Sequence, residues 1–116
     1  MNDTQKTLAP GDFRELTELH DMASQACELL KAMANEWRLI ILCQLSEGEK
    51  TVSELQSLLG LSQSALSQHL AVLRREKIVS ARKEAQSVFY SLAGDEATKV
   101  MDTLHDVFCG AQKPKD

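Results

Sequence analysis

The sequence predicts a winged helix-turn-helix, a mainly α-helical domain with one small β-hairpin in the order α-α-α-α-β-β-α. Three observations predict it. Two short amphipathic segments, 51–59 and 62–76, are separated only by a glycine-containing turn at Gly60-Leu61-Ser62, which is helix-turn-helix spacing. Apolar residues then alternate at Val88, Tyr90 and Leu92, with "IVSARK" before them as a partner strand. Longer segments of helical periodicity lie on both sides of this unit.

Residues 1–12 and 111–116 read as disordered tails around a single domain at 13–110. From Phe13 to about Ala34, Leu16, Leu19, Ala23, Ala26, Leu30 and Met33 recur at helical spacing. Asn35 is placed to cap the next helix, "EWRLIILCQLS". That helix is apolar on most sides and is expected to be central and buried. "TVSE" at 51–54 fits a capping box, and Gly60 can end the helix that follows in a left-handed conformation. Ser62 can cap the next helix at once; it runs to about Glu76 and turns Leu66, Leu70 and Leu73 inward. The hairpin connection is "EAQ", without an Asn-Gly or Asp-Gly turn. The last helix, Asp95 to Cys109, carries a stripe of Ala97, Val100, Met101, Leu104, Val107 and Phe108 and is stopped by Gly110.

At 116 residues with 43% apolar and 26% charged side chains, the chain has the composition of one soluble domain. No run approaches the roughly 18 apolar residues that span a bilayer, and the N-terminus lacks the apolar core of a signal peptide. A cytoplasmic protein without membrane contact is expected. The net charge of −4 is unevenly distributed. Residues 1–61 hold 5 basic and 10 acidic side chains, residues 62–92 hold 5 and 2, and residues 93–116 hold 3 and 5. A basic middle between acidic flanks suggests one patch that faces a polyanion; a chance cluster of surface charge is the alternative.

The stretch "LSQSALSQHL" at 61–70 bears on that choice. A helix face meant for water is normally built from Glu, Lys and Arg, yet here Gln63, Ser64, Ser67, Gln68 and Ala71 point outward. Such short neutral groups can pair with base edges in the major groove, and small side chains let the backbone come close. Arg74, Arg75 and Lys77 at the end of this helix, and Arg82, Lys83 and Gln86 on the hairpin, suit phosphate and minor-groove contacts. His69, at the edge of the inward face, is either packed or in contact with phosphate. The expected partner is double-stranded DNA; a polar surface helix of some other helical domain is the alternative. One such domain reads few base pairs, so a homodimer on a palindromic operator is expected. The outer helices, near 13–34 and 95–109, supply its interface, unless they only cover the monomer core.

Three cysteines without a signal peptide argue against a structural disulfide. Cys27 lies in the first helix's apolar band and reads as a small buried hydrophobe. Cys43, in "LIILCQL", allows the same reading. Cys109 ends a helix beside a tail, where an exposed thiol is costly unless it is used. Asp102, His105 and Cys109 share one side of the last helix, but they are incomplete for a tetrahedral metal site. No cofactor or metal is expected, with Asp102 and His105 as the weak metal candidates.

The segments "LLKAMANEWRLIILCQL", "LSQSALSQHLAVLR" and "ARKEAQSVFYSL" resemble the ArsR/SmtB family of small bacterial repressors, over about Ala26 to Cys109. They are most like the branch of BigR, SqrR and HlyU, whose members respond to persulfides or oxidants through two cysteines. In that branch one cysteine follows the "RLxIL" motif and the other ends the last helix. The matching positions are Cys43 and Cys109; Trp37 departs from the family pattern. The resemblance implies a repressor whose DNA affinity falls when a polysulfide (tetrasulfide) or other oxidised link joins Cys43 to Cys109. Reactive sulfur species or oxidants would then be the inducer. Metal sensors of the family carry cysteines in the first helix of the helix-turn-helix, where "ELQSLLGL" has none. Other members bind zinc through the last helix, so a zinc-type switch there is the competing reading. A thiol enzyme is a weaker alternative, because no CxxC motif is present.

Overall fold

The computed structural model describes residues 13–110, so the tails read at 1–12 and 111–116 lie outside the described residues. The chain runs α1 (Phe13–Met33), α2 (Glu36–Ser46), β1 (Lys50–Thr51), α3 (Val52–Leu59), α4 (Gln63–Arg75), β2 (Val79–Glu84), β3 (Ser87–Leu92) and α5 (Glu96–Phe108). This is the winged helix-turn-helix that the sequence predicts, with one strand more.

The helix starts follow from local chemistry. Asn35 accepts a hydrogen bond from the backbone N–H of Arg38 and opens α2. At α3 the capping box is complete: the Glu54 N–H donates to Thr51 Oγ1 (3.1 Å), and the Thr51 N–H donates to Glu54 Oε1 (2.8 Å). Gly60 takes φ of 71°, which turns the chain sharply enough for Ser62 to accept from the Ala65 N–H and start α4.

The extra strand, β1, is two residues long and pairs with β3, so the sheet order is β1-β3-β2. Two residues show no alternation, and Thr51 is also the cap of α3, so only tertiary pairing reveals the strand. The hairpin turn is also tighter than the sequence suggests. Glu84 pairs with Ser87 in the ladder, leaving only Ala85 and Gln86 as the turn. Ala85 takes φ of 58°, a conformation imposed by the pairing on either side rather than favoured by its side chain.

The core joins Ile41 and Leu42 of α2, Leu55 of α3, Leu66, Leu70 and Leu73 of α4, and Ile78 beside the hairpin, with Ala97 and Met101 of α5 against them. Helix α2 is less enclosed than its composition suggests. It buries Ile41, Leu42 and Leu45, while Trp37 and Ile40 stay exposed because neighbours pack against one face only. Among its described residues, helix α1 buries Ala32 and Met33 in the core and packs the half-buried Leu29 against it. Its Leu16, Leu19, Met22 and Leu30 are exposed, and so are Val107 and Phe108 at the end of α5. Covering the monomer core is therefore not what these parts of the outer helices do in the single chain.

Helix α4 ends in a paired C-cap. The Lys77 N–H donates to the Arg74 carbonyl and the Ile78 N–H to the Leu73 carbonyl, while Ile78 and Leu73 are both buried. This arrangement puts Lys77 at φ of 61°, a left-handed conformation that costs a residue with a Cβ about 1 kcal/mol. Lys77→Gly is therefore expected to stabilise the fold by roughly 0.5–1 kcal/mol, raising the Tm by a few degrees. Thermal and urea unfolding check this; an unchanged or lower Tm would show that the cap carries no strain.

Candidate nucleic-acid interface and cysteine pocket

Packing of α4 fixes which side chains it offers to solvent. Leu66, Leu70 and Leu73 are buried, so Gln63, Ser64, Ser67, Gln68 and Ala71 are exposed together on the other side. The result is a neutral face of small hydrogen-bonding groups and one methyl group. Arg74 and Arg75 are exposed at its end, with Arg75 Nε 3.7 Å from Glu76. Ser67, Ala71 and Arg74 line a shallow cleft with Val52 of α3 and Tyr90 of β3.

His69 has a partner inside the domain. It is half-buried, and its Nδ1 lies 3.4 Å from Arg38 Nη1. Burial, and then the Arg38 charge, hold its pKa below the ordinary histidine value, so it is neutral at physiological pH. Arg38 also donates from Nε to the Ala32 carbonyl at the end of α1. One guanidinium thus ties α1 and α2 to the recognition-type helix α4. Sequence reading missed Arg38, because its partners lie on two other helices.

On the hairpin, Arg82, Lys83 and Gln86 are all exposed. Arg82 is not a free cation. Its Nε and Nη2 donate to the two oxygens of Glu49 (2.8 and 2.9 Å), and its Nη1 donates to Glu84 (2.6 Å). The guanidinium also lies 4.6 Å from the centre of the Phe89 ring. Glu49 is the other residue that sequence reading missed; it is distant in sequence and no motif marks it.

The cysteines do not sit where a buried reading puts them. All three are free and exposed in the single chain, Cys27 included, because its stretch of α1, residues 16–28, is exposed throughout. Cys43 and Cys109, from α2 and the end of α5, line one mainly apolar cavity of about 450 Å³. Leu39, Met101, Leu104 and Phe108 form most of its wall, with Glu47, Asp102 and His105 as its charged or titratable members. Partial burial pushes the Cys43 thiol up from its ordinary pKa, and Cys109 and Glu47 push it further. Cys43 therefore rests as a neutral thiol. Asp102 and His105 share the cavity with the cysteines, but among the described residues no three His, Cys, Asp or Glu side chains are grouped to hold a metal ion.

Residues 35–81 match the family model for the bacterial regulatory protein, arsR family. The chain is 53% identical over 98 residues to the transcriptional activator HlyU of Vibrio cholerae, covering 84% of this chain and 91% of that protein. It is 39% identical over 109 residues to the biofilm growth-associated repressor of Agrobacterium fabrum, covering 94% of this chain and 92% of that protein. The structure of reduced HlyU from Vibrio cholerae superposes with a TM-score of 0.76 at 54% identity, over 79% of this chain and 97% of that one. These relatives are named as regulators of transcription, not as enzymes. On the helix-turn-helix geometry and these matches together, the chain belongs to the ArsR family of DNA-binding transcriptional regulators.

Proposed function

We propose that this regulator is a cytoplasmic, homodimeric repressor that reactive sulfur species release from DNA by linking Cys43 to Cys109. Gln63, Ser64, Ser67 and Gln68 read base edges of a palindromic operator in this account. Arg74, Arg75, Lys83 and Gln86 hold the backbone, with Arg82 on the wing and His69 beside the phosphates. The exposed apolar residues of α1 and α5 form the dimer interface; burying a leucine or methionine there contributes about 1.5–3 kcal/mol each.

The observation that carries this reading is the shared cavity of Cys43 and Cys109. An ordinary disulfide requires Cα atoms within about 7 Å, and a link with two more sulfurs extends that reach by a few ångströms. The reaction balances with an organic hydropersulfide as sole reagent. Two thiols and three hydropersulfides give the tetrasulfide, three organic thiols and one hydrogen sulfide. Two sulfane sulfurs enter the link, and the third takes up the electron pair and protons that the cysteines release.

In mobility-shift titrations with DNA from upstream of the coding sequence, Cys43→Ser and Cys109→Ser are expected to retain binding and lose release by an organic persulfide. Cys27→Ser should retain both. Loss of induction in Cys27→Ser alone contradicts the assignment. The raised Cys43 pKa sets a second expectation with a definite sign. Because the thiolate is the nucleophile, alkylation of Cys43 by iodoacetamide, a reagent that does not titrate, should quicken about tenfold per pH unit from pH 7 upward, without levelling off near neutrality. Alkylation rates followed by peptide mapping check it, and a plateau near neutrality would mean that the Cys43 thiol is not raised.

A further inference from the structure

The wing arginine is held by two carboxylates, and that arrangement has a consequence for how the protein meets DNA. Strand β3 is central in the sheet, and Phe89 on it has Arg82 as its register partner on one side and Thr51 on the other. Arg82 lies over the Phe89 ring and reaches across the strand to Glu49, which directly precedes β1. Both oxygens of Glu49 are taken by Nε and Nη2 in a side-on pair, while Glu84 takes Nη1. One positive charge is thus shared between two negative ones on the face of the wing that carries Arg82.

We infer that Glu49 masks Arg82 in the free protein and so limits binding to DNA of arbitrary sequence; contact with phosphate requires Arg82 to exchange Glu49 for the DNA backbone. This inference rests on the proposed placing of Arg82 at the DNA. The exchange is feasible because the pair is exposed at the surface, where such ion pairs are weak. It is also costly to leave half done. A phosphate that approaches while Glu49 still holds the guanidinium meets a net negative site. DNA seated closely enough to replace both Glu49 contacts gains the arginine; loosely held DNA does not. Arg82 keeps the Glu49 carboxyl below the usual carboxylate range, so the mask persists throughout physiological pH.

The test uses the reduced full chain and a short mixed-sequence duplex, with anisotropy titrations between about 50 and 200 mM salt. Wild type, Glu49→Gln, Arg82→Ala and the double variant are compared, each checked for an unchanged melting profile. Glu49→Gln is expected to bind several-fold tighter at low salt, with a salt slope steeper by about one. That gain should shrink about threefold as salt rises across the range, and it should be absent in the Arg82→Ala background. Equal tightening with and without Arg82 would reduce the effect to simple charge removal and overturn the masking. Weaker binding at unchanged slope would make the pair a structural brace, which also overturns it. If Arg82→Ala flattens the slope while Glu49→Gln changes nothing, the wing contact stands and the mask does not exist. If Glu49→Gln, Arg82→Ala and the double variant all match wild type in affinity and slope, the placing of Arg82 at the DNA fails, and the masking fails with it.

Discussion

Burial of Ile41, Leu42 and Leu45 sets the rotation of α2 about its own axis, and most of the functional geometry follows from that setting. A close-packed core does not let a helix turn freely, so the side chains between the buried ones have fixed destinations. One is Arg38, near the start of α2, in contact with the Ala32 carbonyl and His69. Another is Cys43, a little more than one turn later, on the cavity that α2 shares with α5. A single helix therefore touches both the thiol pocket and the helix that offers Gln68 and Ser67 to solvent. On the proposed mechanism, drawing Cys109 toward Cys43 strains α5 against α2. The strain can be relieved by a different dimer geometry, a population shift rather than a local distortion.

The same packing explains the division between covered and uncovered apolar surface. Ala97 and Met101 of α5 and Ala32 and Met33 of α1 are buried, and the half-buried Leu29, Val100 and Leu104 pack against the same core. Exposed apolar residues remain at Leu16, Leu19, Met22 and Leu30 of α1 and at Val107 and Phe108 near the end of α5. Cys109 sits there too. On the proposed mechanism Cys109, exposed at the end of α5, moves toward Cys43, which is carried by a helix that the core grips. The raised pKa of Cys43 fits a resting neutral thiol in a mainly apolar pocket rather than a constitutively reactive one.

Much of the fold was legible in the sequence because its signals are local. Asn35, the Thr51/Glu54 box, Gly60 and Ser62 each satisfy or redirect the backbone within three or four residues, and each acts as its spacing suggests. The outward face of α4 was legible for a related reason: three leucines at helical spacing leave the other side determined. Features that depend on distant parts of the chain were not legible. Strand β1 exists only through its pairing with β3, and the tight turn at Ala85 is imposed by the strands it joins. Cys27 was misread because an apolar band reveals a covered face without saying whether the cover is in the same chain. The basic hairpin was read from its charges as an open cationic patch. Glu49, over thirty residues earlier, changes that reading, and nothing near Arg82 in sequence signals it.

The central claim is that Cys43 and Cys109 of one subunit act as a pair. Intact mass spectrometry of the natively folded, reduced protein after treatment with an organic persulfide, followed by peptide mapping, tests it most directly. The expected product is one subunit heavier by two sulfur atoms and lighter by two hydrogens, with the Cys43 and Cys109 peptides joined and Cys27 unmodified. A subunit that gains sulfur without a link between those two peptides, a link that includes Cys27, or a covalent dimer joined through Cys109 would contradict the account.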